Sequence, residues 1–140
     1  MGARSNIVVQ EQDGSRIWLY GHWMGEDSIN VTRDVLSMRD RWNDAPYLAR
    51  MLFEEMIQGA VDKTTGFGIS TVMCDNEYPI IVLEPHTQTA WLEDSDWSTT
   101  PRTIKPLTEP IPFEDFLNAL SFREGTFEPL MNSLNALAQV

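Results

Sequence analysis

Apolar residues recur along the chain with two different periods, and the changes of period mark the elements. Ile7, Val8 and Val9, then Ile17, Trp18, Leu19 and Tyr20, form two β-branched and aromatic runs separated by Asp13-Gly14. Asp-Gly between such runs is a strong hairpin signal, because both residues tolerate the positive φ that a tight turn needs. The pattern predicts strands over Asn6–Gln12 and Arg16–Trp23. Gly25-Glu26-Asp27-Ser28 then breaks it, and Val31, Val35, Met38 and Trp42 follow at helical spacing, with Asp27, Ser28 or Asn30 available as an N-cap. In the next helix Asn43 or Asp44 caps the start and Pro46 falls in the first turn. Leu48, Met51, Leu52 and Met56 form its stripe, and Gly59 stands where it should end.

From Thr65 the period shortens. Gly66 to Met73 reads as a strand, Asp75-Asn76-Glu77-Tyr78-Pro79 as a turn, and Ile80-Ile81-Val82-Leu83 as a strand buried on both faces. Thr87 to Leu92 predicts another strand. The proline-rich stretch Ser98–Pro112 allows only a short edge strand at Arg102–Lys105. Phe113, Phe116, Leu117 and Leu120 then define an amphipathic helix opened by Pro112. After the break at Glu124-Gly125-Thr126, a last helix is striped by Phe127, Leu130, Leu134 and Leu137. Strands and helices come in blocks, ββ-αα-βββ-αα. That order predicts one α+β domain: an N-terminal hairpin, two helices, antiparallel strands, and two C-terminal helices on one face of the sheet.

Composition fits a folded chain. A domain of 140 residues buries roughly two thirds of its unfolded surface, and 42% of the residues are hydrophobic, including five Trp, six Phe and seven Met. No apolar run approaches the ~20 residues that cross a bilayer, so no membrane partner is expected. The N-terminus lacks the apolar core of a signal peptide, which points to a cytoplasmic protein. Cys74 is the only cysteine, which excludes an internal disulfide and a Cys-based metal cluster. A buried, inert thiol is expected there.

Charge changes the picture further. The net charge is −11, from 21 acids and 10 bases. That disfavours general nucleic-acid binding, which rests on cations neutralising phosphates. Between Lys63 and Arg102 the sequence has no Lys or Arg, yet it holds Asp75, Glu77, Glu84, Glu93, Asp94 and Asp96. This stretch reads either as a solvated acidic face or, at Glu84, Glu93, Asp94 and Asp96, as a patch that steers toward a basic partner or mimics DNA phosphates.

No motif specifies a reaction. Gly66-x-Gly68 lacks the third glycine of a phosphate loop and opens a strand. His22 and His86 lie in no metal-ligand spacing, so His22 is expected to be a hydrogen-bonded structural imidazole and His86 exposed. No catalytic residue, metal or cofactor is called for, and the chain is expected not to be an enzyme. The polar residues that stand out lie at the ends of apolar elements. Tyr20, His22 and Trp23 close the hairpin. Arg41, Trp42, Asp44 and Tyr47 lie between the two helices. Thr65 and Gly66 open a strand, and Asp75, Asn76 and Glu77 make the turn before the buried one. Arg41 beside Trp42 could stack on a planar ring. The bland reading is helix capping and an Arg–acid pair; the sharper one is a ligand or partner site lining one shared concavity.

These same blocks carry a resemblance. Tyr20-Gly21-His22-Trp23-x-Gly25, Arg41-Trp42-Asn43-Asp44-x-x-Tyr47-Leu48-Ala49-Arg50, Thr65-Gly66-Phe67-Gly68-Ile69 and Asp75-Asn76-Glu77-Tyr78-Pro79 resemble a family of small hypothetical proteins from phages and prophages of actinobacteria and other hosts. The similarity spans roughly Ser5 to Glu84. It carries no activity and no functional residues; it implies a context, a small accessory product in the cytoplasm of an infected cell. On that footing the leading expectation is a non-enzymatic phage accessory protein that binds a host protein, in a host-takeover or counter-defence role. The alternative is a small-molecule binder that sequesters a nucleotide-type signal through Arg41, Trp42, Tyr47 and the Thr65-Gly66 turn. A third reading is a hydrolase using His22 with Asp75 or Glu77. A homodimer through the apolar stripe of the last helix also remains open.

Overall fold

A computed structural model describes residues 2–96, 103–121 and 126–138. Chain order gives β1 (Ser5–Gln10), β2 (Arg16–Gly21), α1 (Asp27–Leu36), α2 (Ala45–Met56), β3 (Phe67–Ser70), β4 (Ile80–Glu84), β5 (Thr89–Asp96), β6 (Thr103–Pro106), β7 (Ile111–Pro112), α3 (Phe113–Leu120) and α4 (Phe127–Ala138). The class is α+β, with a seven-stranded sheet ordered β3-β2-β1-β4-β5-β6 and β7 paired to β5. Every pairing is antiparallel except β1 with β4, which is parallel, so the sheet is mixed. The apolar runs of β1 and β4 suit that central pairing: Ile7, Val8, Val9 and Ile80 to Leu83 are fully buried from both sides.

The hairpin closes as Asp13-Gly14 predicts. Ser15 C=O accepts from Glu11 N–H, Gly14 N–H donates to Glu11 C=O, and Gly14 sits at φ +89°. Asp13 Oδ1 accepts from both the N–H and the hydroxyl of Ser15, and these bonds hold its carboxyl below the usual range.

Strand alternation gives the sheet two different faces. Ile7, Val9, Leu19, Ile81, Leu83, Ala90 and Leu92 form one core with all four helices. Phe127, Leu130 and Leu134 of α4 are buried in it, which leaves only Leu137 of that stripe exposed. The sheet's own helices thus occupy the surface that a dimer through α4 would need. Among the described residues the opposite face has no helix. There Trp18, Val8, Val82 and Trp91 stand side by side in one cross-strand row, and Val8 and Val82 are fully buried.

Helix boundaries follow local chemistry. α1 starts before the predicted Val31, and Glu26 takes the N-cap position without a side-chain cap. Its carboxylate instead accepts from Phe127 N–H at 2.8 Å, tying the starts of α1 and α4 together. α1 ends at Leu36, so Met38 and Trp42 lie beyond it. Asp44 caps α2, accepting from Tyr47 N–H with Pro46 in the first turn. Gly59, at φ +79°, follows the end of α2. Arg102 and the Glu124-Gly125 break lie outside the described residues. No described helix is long and apolar enough to cross a membrane.

Candidate functional site

The candidate residues divide between two places at opposite ends of α1. One is the sheet end formed by the start of β1, the end of β2 and the start of β3. The other is the corner between α1 and α2. α1 has ten residues, which spans about 15 Å at 1.5 Å per residue.

At the sheet end Tyr20, His22, Trp23, Thr65, Gly66, Asp75, Asn76 and Glu77 are neighbours. The Tyr20 hydroxyl and His22 Nδ1 share a hydrogen bond of 2.9 Å. The His22 ring meets Trp23 edge-on at 4.5 Å between centroids. His22 N–H donates to Gly66 C=O at 2.8 Å. Gly66 sits at φ +100°, and a Cβ there would come within 2.9 Å of the Trp23 ring, so backbone and ring both demand glycine. Burial raises the Tyr20 hydroxyl above its usual pKa against the opposing charge of Arg4.

The 75–77 turn is bound to the first strand. Arg4 Nε lies 3.1 Å from Asp75 Oδ2. Arg4 N–H donates to Glu77 Oε1, and Glu77 N–H donates back to Arg4 C=O. The Asn6 amide donates to Asp75 C=O and Asn76 Oδ1, and the buried Asn76 amide donates to Tyr78 C=O at 2.6 Å. His22 Nδ1 is thus engaged by Tyr20, and both acids by Arg4. Cys74 is exposed here, where a buried thiol was expected, because its loop runs outside the sheet. His86 is exposed, as expected. Among the described residues no group of three His, Cys, Asp or Glu could hold a metal.

At the helix corner the chain turns through two non-glycine residues in the left-handed region, Arg39 at φ +55° and Arg41 at φ +60°. Each conformation costs roughly 1 kcal/mol or more, and each arginine is anchored by its side chain. Arg39 donates two hydrogen bonds to the carboxylate of Glu114 of α3, and its guanidinium lies over Trp42 at 5.5 Å. Arg41 lies over the Tyr47 ring at 4.3 Å and 3.6 Å from Asp44. The Trp42 indole N–H donates to Leu36 C=O, closing the end of α1, and its ring packs edge-on against Phe113. Trp42 is therefore structural. The arginine that stacks on it is Arg39, and Arg41 stacks on Tyr47.

Beside this turn lies an open concavity of about 430 Å³. Its apolar lining is Met38, Tyr47 and Met51, its acids are Asp40, Glu54 and Glu55, and its cations are Arg41 and Arg50. Met38 is 57% and Tyr47 48% exposed. Arg50 pairs with Glu54 and Arg41 with Asp44, so Asp40 and Glu55 have no cationic partner among the described residues. Sequence reading had found Arg41, Asp44 and Tyr47 but not Met38, Arg50, Glu54 or Glu55. Tyr47, Met51 and Glu54 recur at helical spacing along α2, with Gln58 just past its end, a stripe visible in the sequence.

In the acidic stretch Glu84 and Asp94 are partly exposed, but Glu93 is not part of an exposed patch. Glu93 is only 6% exposed. It accepts two 2.7 Å bonds from Arg16 and one from the Trp91 indole. Burial pushes its carboxyl up, but the bonds from Arg16 and Trp91 and the charge of Arg16 outweigh it, leaving the group below the ordinary carboxylate range. Glu84 accepts from Gln10 and Thr87, and Asp94 accepts from Ser95 N–H. Asp96 ends β5, and its side chain lies outside the described atoms. Alternation along β5 sends Glu93 to the helix-free face, where a base from another strand reaches it.

Compared with protein-family models, with curated proteins and with solved structures, the chain has no match.

Proposed function

We propose that the chain is a non-enzymatic phage accessory protein that engages a protein of the host cell through the concavity at the α1–α2 corner. The observation that carries this reading is the exposure of Met38 and Tyr47 over a groove whose acids outnumber its cations. Apolar anchors beside two acids, Asp40 and Glu55, that have no cationic partner among the described residues complement a partner segment that carries apolar side chains and Lys or Arg. Two left-handed arginines hold the turn in one shape before any partner arrives, which lowers the ordering cost of association. The phage setting rests on the sequence resemblance alone.

The same charges weigh against a nucleotide-type ligand. Both arginines of the groove have carboxylate partners, and Asp40 and Glu55 repel phosphate. Trp42, the expected stacking platform, is covered by Arg39 and Phe113.

The test is affinity capture from host lysate with the native chain, Tyr47→Ala and Glu54→Lys/Glu55→Lys, read by mass spectrometry. A host protein held by the native chain and lost with both variants supports the groove. Equal capture by all three contradicts it.

A further inference from the structure

We infer that the outer edge of β3 is a self-association edge, at which two copies pair β3 to β3 antiparallel about a two-fold axis and extend one sheet through both. The inference is independent of the α1–α2 groove.

Backbone parity identifies the free groups. His22 N–H donates to Gly66 C=O, and that pair shares the register of Tyr20 with Gly68 and Trp18 with Ser70. Hydrogen-bonded pairs alternate along an antiparallel ladder, so Gly66, Gly68 and Ser70 bond toward β2. Phe67 and Ile69 therefore aim their N–H and C=O groups outward, where no backbone group among the described residues meets them.

The two sheet edges differ in chemistry. β6 carries Lys105 and Pro106, residues that blunt edge pairing. β3 has neither. From Thr64 to Cys74 there is no charged residue and no proline, in a chain of net charge −11. Ile69 is 62% exposed on the helix side of the sheet, next to half-buried Phe67.

This edge is its own complement. With Gly68 opposite the second copy's Gly68, Phe67 faces Ile69 of the other copy and Ile69 faces its Phe67. Both outward pairs then form at once, and Ile69 is covered by an aromatic ring. The ends match as well. Trp23, 62% exposed, stands over Gly66 before β3, and Val72, 63% exposed, follows it. Antiparallel pairing brings the Trp23 end of one copy toward the Val72 end of the other. The interface is uncharged while each copy is strongly acidic, so added salt should strengthen it by screening the long-range repulsion.

Sedimentation velocity of the full chain from micromolar to near-millimolar concentration, at low and high salt, tests this. A dimer that strengthens with salt is expected, and Ile69→Lys, at an exposed position, should weaken it about tenfold or more. Amide hydrogen exchange of the native chain gives a second readout that needs no variant: protection of Phe67 and Ile69 N–H should rise with protein concentration. A monomer throughout overturns the inference. So does a dimer that Ile69→Lys leaves intact and in which those two amides stay unprotected.

Discussion

Arg16 on β2 and Glu93 on β5 lie 77 positions apart in the chain, yet they meet through two parallel 2.7 Å bonds across the helix-free face of the sheet. Two strands, β1 and β4, separate them, so the pair lies over Val8 and Val82. Gln10 supports it by accepting from Arg16 Nε, and the Arg16 guanidinium stands 5.8 Å from the Trp18 ring. This polar brace spans the row that Trp18, Val8, Val82 and Trp91 form on that face.

Breaking the brace from one side strands a charge. Arg16→Met leaves Glu93 buried without its partner and should cost about 3 kcal/mol. Replacing both residues by apolar ones of similar size should cost much less than the single change. Urea unfolding of the single and double variants measures this. Additive losses would contradict the coupling.

The brace also sets a pH dependence. Glu93 is held below its ordinary value of 4.5 in the folded chain. A depressed folded-state value adds stability that is complete above the unfolded value and is lost as pH falls through the folded one. The native chain should therefore lose stability below about pH 4.5 more steeply than Glu93→Gln does. Chemical denaturation across pH 3–6 checks it, and parallel profiles would sink the assignment.

Gly66 should not tolerate a side chain. Its φ of +100° and the Trp23 ring within 2.9 Å of any Cβ together predict a loss of about 1–3 kcal/mol for Gly66→Ala. Trp23→Ala in the same chain should recover only the steric part. Thermal unfolding of the two single variants and the double variant separates strain from clash.

Nucleotides should leave the chain's melting temperature unchanged. A ligand at about 100 times its dissociation constant adds ~2.7 kcal/mol to stability, enough to read in a thermal-shift screen of mono-, di- and cyclic nucleotides. A clear shift that Arg41→Ala removes would favour the small-molecule reading over the protein-binding one.

Local pattern carried most of the architecture. The α3 stripe, Phe113, Phe116, Leu117 and Leu120, opens after Pro112 and matches the helix residue for residue. Asp44 capping and the Asp13-Gly14 turn were equally legible because each is decided within a few residues. What escaped depends on contacts far apart in sequence. The base-free stretch after Lys63 read as a solvated face or a steering patch, yet Arg4, just before β1, and Arg16 of β2 reach into it. The parallel pairing of β1 with β4 leaves no mark in either strand's residues beyond their burial on both faces. The single concavity expected to join His22, Arg41 and Asp75 is two sites, because α1 stands between the stretches that supply them. Trp42 and Arg41 are adjacent in sequence, but the left-handed backbone at Arg41 turns their side chains to different rings.

The most direct check on the central claim is the salt and mutation dependence of host-protein capture at the α1–α2 groove. Binding that weakens as salt rises and disappears with Tyr47→Ala and with Glu54→Lys/Glu55→Lys is the predicted result. A captured partner held equally well by those variants at every salt concentration would place its site elsewhere on the molecule.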